Sequence, residues 1–215
     1  MISQRVRAAY DLIAPAFAAR NAAMPTELLD LGTGFLDLLR ASAGAAPWVL
    51  DLGCGAGRDM AWMERQGARV AGADLSSGML SHARRQARGP VVQADMRRLP
   101  FARETFDGVW CMASLLHLPK SDAPLALREM RRVLAPGGAI AIGIQEGEGE
   151  VWEAGAYGHP VERFFARYGP EEADVLLAEA GFRVRERGLS TAGTRRWLRF
   201  LATTSADAPP ALSGI

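Results

Sequence analysis

Apolar residues recur at helical spacing twice before residue 45, first at Val6, Tyr10, Ile13 and Phe17, then at Leu28, Leu31, Phe35, Leu38 and Leu39 after the Pro25-Thr26 start signal. This spacing predicts two helices over 1–45. From Trp48 the period changes, and short apolar runs at 48–52, 70–73, 91–94, 106–111 and 140–144 read as strands with helical stretches between them. Ser76 opens one of these helices, with Met79, Leu80 and Ala83 inward. Asp122 opens another, with Leu127, Met130, Val133 and Leu134 on one face and Pro136-Gly137-Gly138 as its stop. Such alternation predicts a parallel sheet covered on both faces, because each crossover returns the chain to start the next strand in the same direction.

Beyond Ile144 the pattern breaks into Gln145-Glu146-Gly147-Glu148-Gly149-Glu150, and no period is legible as far as 169. An irregular stretch of this length reads as a lid insertion over 145–169. A helix restarts at Pro170-Glu171-Glu172, with Leu176, Leu177 and Ala180 inward and Gly181 as its stop. The runs 182–188 and 196–203 then predict a hairpin around turn residues in 190–193. The chain reads as a single domain over 1–204, with a flexible tail over 205–215 that contains Pro209-Pro210.

Composition narrows the class. The chain has 215 residues, 49% of them hydrophobic, which is enough for one well-buried core. Lys and Arg number 25 against 24 Asp and Glu, so no broad cationic field exists and nucleic acid is not the expected partner. No run of about 18 apolar residues is present to cross a membrane. The Arg-bearing start is interrupted by Asp11 and Pro15 and reads as a helix of the mature protein rather than a targeting segment. Cys54 and Cys111 stand far apart without CxxC spacing, against a disulfide scaffold or structural zinc site, so a reducing cytoplasm is the expected setting.

The chemistry concentrates at strand ends. Val49-Leu50-Asp51-Leu52-Gly53-Cys54-Gly55-Ala56-Gly57-Arg58-Asp59 is a buried strand that runs into a glycine turn and then a helix, whose N-terminus offers free N–H groups to an anion. A tight turn needs such glycines whatever its purpose. A dinucleotide fingerprint would require a third glycine at 58, where Arg58 stands, which opposes a nicotinamide-dependent oxidoreductase. Asp74, at the tip of the second strand, suits a ribose diol; its other reading is support for the helix starting near Ser76. Asp95, at the tip of the third strand, suits the exocyclic amine of adenine. Together the tips describe adenosine joined to an amino acid.

With these motifs the sequence resembles the class I S-adenosylmethionine-dependent methyltransferases, in particular the small-molecule, methyltransferase type 11 group that includes ubiquinone and menaquinone enzymes. The resemblance spans residues 10–203 and rests on 49–59, 70–79 with Asp74, 92–101 with Asp95, 106–119, and 129–144 with Pro136-Gly137-Gly138. It implies a Rossmann-like, doubly wound α/β fold: a seven-stranded, mostly parallel sheet, its last strand antiparallel, with helices on both faces and an N-terminal helical cap. It also implies S-adenosylmethionine as cofactor, S-adenosylhomocysteine as product, a small organic acceptor, no metal, and a monomer or homodimer. By the same resemblance Asp51, Gly53 and Gly55 line the methionine end, Asp74 the ribose, Asp95 with Met96 the adenine, and Cys111 or Met112 the methionine amine, mostly through backbone carbonyls. Cys54, Gly57, Arg58, Leu75 and Met79 complete the cofactor set, and Tyr10 covers it.

A catalytic base is needed for a hydroxyl acceptor and much less for a thiol or neutral amine. His117 is the candidate, with a structural histidine bonded to a loop carbonyl as the alternative. His82 reads as a helix-surface residue and His159 as an exposed loop residue. The segment Cys111-Met112-Ala113-Ser114 lacks the Asn/Asp-Pro-Pro-Tyr/Phe motif associated with methylation of amide or base nitrogens, and it lacks acids for a catechol-type metal site. Glu146, Glu148 and Glu150 read as a solvated loop. A cofactor-binding but inactive partner subunit on the same fold remains the alternative function, since the motifs report cofactor binding alone.

Overall fold

Residues 2–204 are described by the computed structural model, so the tail expected over 205–215 lies outside the described residues. Helices α1 (Ile2–Arg20) and α2 (Thr26–Ala43) lead into β1 (Trp48–Leu52), α3 (Arg58–Arg65), β2 (Arg69–Asp74), α4 (Ser77–Gln86), β3 (Val91–Gln93) and β4 (Phe106–Met112). There follow α5 (Ala123–Val133), β5 (Leu134–Gln145), β6 (Glu150–Ala156), β7 (His159–Ala166), α6 (Pro170–Glu179), β8 (Phe182–Ala192) and β9 (Arg195–Thr204). Seven strands form one sheet in the order β3-β2-β1-β4-β5-β9-β8. The first five are parallel, and β9 runs antiparallel to both β5 and β8. This is the doubly wound sheet with a reversed last strand that the sequence predicts.

The sheet is buried on both sides because successive side chains point to opposite faces. Leu50 and Leu52 of β1 pack with Val109, Ile142, Leu127 and Met130 on the side of α5, whereas Val49 packs with Phe35, Leu39, Met60 and Met63 beneath α2 and α3. The Phe35 ring stands 5.6 Å from that of Trp110. Thus α2 lies along the sheet and only its start belongs to the expected cap. The helix that does form a roof is α1, whose Ile13 and Ala14 pack with Met79 of α4 and Val161 of β7.

Three expectations change. The stretch 145–169 is not irregular: it holds the antiparallel hairpin β6–β7, paired from Glu150↔Ala166 to Ala156↔His159. Its two-residue turn places Tyr157 at φ 54° and Gly158 at φ 82°, the doubly positive geometry that matches strand twist. A tyrosine in that position gives no turn signal. The helix α5 ends at Val133, before Pro136-Gly137-Gly138, and Leu134 already pairs with Phe106. The glycines instead form an irregularity between the Phe106↔Leu134 and Gly108↔Ala139 pairs, Gly137 taking φ 76°. Finally, β8 and β9 pair out to Ala192↔Arg195, so their turn is Gly193-Thr194.

Candidate functional site

β1 is hydrogen-bonded to β2 on one side and β4 on the other, so the chain winds outward and then returns across this point. In such sheets the crevice beyond the carboxyl ends of the strands receives ligands. A cavity of about 420 Å³ lies here. Its floor is the glycine turn with the tips of β1, β2 and β4, its roof is α1 with the β6–β7 hairpin, and one wall is the tip of β8–β9.

Gly53 takes φ 76°, and a Cβ there would stand 2.2 Å from that of Ser114, so no other residue fits. Ser114 Oγ donates to the Leu52 carbonyl at 2.7 Å and locks the turn to the start of the next loop. Above the turn, Asp51 is buried, and its Oδ2 has no hydrogen-bond partner. Burial first, and then the Asp59 charge, push its carboxyl well above the usual range. The second carboxylate of the floor, Asp74, accepts from Gly55 N–H at 2.9 Å and Ser76 N–H at 2.8 Å. Burial raises its pKa despite those bonds. Asp74 thus supports the start of α4, as one of its two readings has it, and it also lines the cavity.

Asp95 lines the cavity already engaged. Arg97 bonds it through the backbone N–H at 2.9 Å, Nε at 3.0 Å and Nη2 at 2.5 Å, and also reaches Asp122 at 2.6 Å. Burial pushes this carboxyl up, but the Arg97 bonds outweigh it and its pKa is lowered. Arg58 is likewise paired with Asp59 at 2.5 Å, while Asp59 Oδ2 accepts from Trp110 Nε1 at 2.9 Å.

Tyr10, Cys54, Gly55, Arg58, Leu75, Met79, Met96, Met112 and His117 also line the cavity, as their sequence positions predict. Two candidates do not. Cys111 is fully buried with its Sγ 3.0 Å from Ser114 Oγ, because its position in β4 points it to the α5 side. Gly57, at φ 87°, faces α4, where a Cβ would meet the Ala83 backbone at 2.8 Å; it serves helix packing.

His117 ends a short 3₁₀ turn after β4. Its Nδ1 is 2.6 Å from the Phe164 carbonyl and its Nε2 is 2.7 Å from Tyr10 Oη. A carbonyl only accepts, so Nδ1 carries the proton and the Nε2 lone pair accepts from the Tyr10 hydroxyl. Burial is the largest cause that lowers the His117 pKa to about 4, with the Arg163 charge adding to it; burial raises Tyr10 to about 12. The imidazole is held neutral.

Sequence reasoning missed the roof. Arg163 and Phe165 of β7, and Arg195, Trp197 and Arg199 of β9, line the cavity at period two. That alternation was the available signal. It also missed Asp11, whose Oδ1 accepts from Ser76 Oγ at 2.6 Å and Gly78 N–H at 2.9 Å, fastening α1 to the start of α4. Among the described residues no group of three His, Cys, Asp or Glu is placed to hold a metal, and no helix is long and apolar enough to cross a membrane.

Residues 50–142 match the family model described as a methyltransferase domain. Over these residues, then, the chain carries a methyltransferase domain. It is 40% identical over 111 residues to the methyltransferase GfsG of Streptomyces halstedii, covering 48% of this chain and 39% of that protein. It is 37% identical over 147 residues to the malonyl-[acyl-carrier protein] O-methyltransferase of Erwinia pyrifoliae, covering 66% and 55%. The chain thus spans about half the length of these curated relatives or less. Among solved structures, the magnesium protoporphyrin IX methyltransferase ChlM of Synechocystis PCC 6803, with bound S-adenosylmethionine, superposes with a TM-score of 0.71 at 16% identity, over 95% of this chain and 98% of that one. The methyltransferase floor fits the family's cofactor, because buried carboxylates with acceptor positions to spare suit a ligand that carries an ammonium and a diol.

Proposed function

We propose that this protein transfers a methyl group from S-adenosylmethionine to an oxygen atom of a small organic molecule, in a reducing cytoplasmic setting. The observation that carries the reading is Asp51: a buried carboxylate with an unpartnered Oδ2, beside a glycine turn on the floor of a cavity. Such a group calls for a cation. Asp51 binds the ammonium of the amino-acid end, Asp74 accepts from the ribose hydroxyls with its remaining lone pairs, and Ala94 to Met96 flank the adenine. When bound, the cofactor supplies an electrophilic methyl group on a cationic sulfur.

The roof makes the acceptor side. Tyr10 and α1 exclude water from the reacting centre, which favours a step that disperses positive charge. His117 Nε2 takes the acceptor proton through Tyr10 Oη, which already donates to it. A base with a pKa near 4 is sufficient, because a hydroxyl becomes strongly acidic as it gains a methyl group and its proton leaves late. Titration calorimetry with S-adenosylmethionine, S-adenosylhomocysteine and NADH tests the cofactor, and S-adenosylhomocysteine release in a screen of hydroxylated acceptors tests the reaction. Binding of NADH in place of the first two overturns the proposal. Persistent silence in the screen with normal cofactor binding favours an inactive partner subunit.

A further inference from the structure

The cavity has two electrically different ends. At the floor stand Asp51 and Asp74 at the strand tips and Asp59 at the start of α3, with Arg58 as the cation beside them, ion-paired with Asp59 and felt at Asp51. At the roof and side wall stand Arg163, Arg195 and Arg199. There Glu153 is shared by Arg167, at 2.9 Å, and Arg195, and Arg199 bonds two uncharged acceptors, the Glu27 carbonyl and Ser190 Oγ.

Arg163 differs from these neighbours. Among the described residues no carboxylate lies within ion-pair distance of it, and its buried Nε has no hydrogen-bond partner. Its guanidinium rests 5.0 Å from the ring centre of Phe165 and 5.8 Å from that of Tyr157, and it acts on the Tyr10 hydroxyl, an uncharged partner, by charge and by a side-chain hydrogen bond. Stacking of this kind holds the planar fork in place while leaving its N–H donors without an anion. Phe17, Phe165 and Trp197 supply flat apolar surface along the same part of the cavity.

We propose that the methyl acceptor is an aromatic hydroxy acid, its ring packed against the aromatic walls and its carboxylate paired with Arg163. The inference rests on the methyltransferase reading and names the acceptor class within it. A guanidinium fork matches a carboxylate in two parallel hydrogen bonds, and an anchor of this sort beside Tyr10 fixes the hydroxyl relative to the methyl donor. It also separates the two ligands by charge, the cationic donor going to the acidic floor and the anionic acceptor to the basic roof.

The test titrates 4-hydroxybenzoate, 6-hydroxy-2-naphthoate and their primary amides into the protein saturated with S-adenosylhomocysteine, followed by calorimetry. The acids are expected to bind at least about tenfold more tightly than the amides, the loss of a charge-assisted pair being the difference. Arg163→Gln should abolish that preference and Arg163→Lys should keep part of it, with S-adenosylhomocysteine affinity unchanged in both. Equal binding of acid and amide to the wild type, binding of neither acid, or a preference that survives in Arg163→Gln overturns the proposal. Failure of the wild type to bind S-adenosylhomocysteine strikes the methyltransferase reading instead, so the two failures are distinguishable.

Discussion

His117 sits between a carbonyl that fixes its proton on Nδ1 and a phenol that meets its lone pair. Its pKa of about 4, against an ordinary 6.5, has two consequences with definite signs. Turnover should stay level as pH is lowered through 6.5 and fall only toward about 4; a pH–rate profile that drops near 6.5 would contradict the buried neutral imidazole. The unfolded chain takes up a proton in that same window and the folded one does not, so the stability contributed by His117 is complete above 6.5 and declines as pH falls toward 4. Urea melts at several pH values, compared between wild type and His117→Gln, measure this decline. Replacement of the imidazole should also lower turnover by roughly 10²–10⁴ with cofactor affinity retained. Asp51 carries the opposite sign. Its raised pKa means that the buried charge opposes folding at neutral pH. Asp51→Asn should therefore raise the melting temperature of the ligand-free protein while it weakens S-adenosylhomocysteine binding by about 1.5–3 kcal/mol, the worth of a bond to a charged group.

At the level of elements, α1 depends on a single carboxylate. Asp11→Ala removes the acceptor for Ser76 Oγ and Gly78 N–H, and should cost about 1–2 kcal/mol of stability, with faster amide exchange in α1 than in the sheet. Equal exchange in both would show that apolar packing alone holds the roof. The parallel strands were legible in the sequence because they are short apolar runs bounded by glycines and caps, and the glycine turn because its acids stand at fixed places relative to them. The β6–β7 hairpin was not. Its strands lack a clean alternation, β6 having a single buried residue at its end and β7 closing on three buried residues in a row, its turn begins with Tyr157, and Gly155 sits at a register shift, so that three separate signals were blurred. The site divided along the same line: its floor could be read, but the period-two spacing of Arg163 with Phe165 and of Arg195, Trp197 and Arg199 marks one face of a strand without saying that this face meets the cavity, which the pairing and turns decide.

For the molecule as a whole, ligand binding and folding are linked, because the cavity joins the first strand, the roof and the end of the chain's last hairpin. S-adenosylhomocysteine at a hundredfold excess over its Kd should add about 2.7 kcal/mol of stability. For a chain of this size that corresponds to a rise in melting temperature of roughly 5–10 °C. A thermal shift that depends on ligand concentration is the expected record, and no shift at saturation would mean that the cavity does not receive the ligand.

The reversed direction of β9 carries a further consequence. A parallel strand can offer only its last residues to the crevice, and in β1 and β2 those positions are tied to the glycine turn. An antiparallel strand enters from the crevice side, so alternate residues of its first half, Arg195, Trp197 and Arg199, face the cavity while its later ones, from Phe200 to Ala202, are locked into the core. On the proposed reading the donor is held around the glycine turn and the acceptor's carboxylate by a β7 residue more than a hundred positions further along the chain. Changes along β7 and at the start of β9 should then alter acceptor preference while S-adenosylhomocysteine affinity is kept.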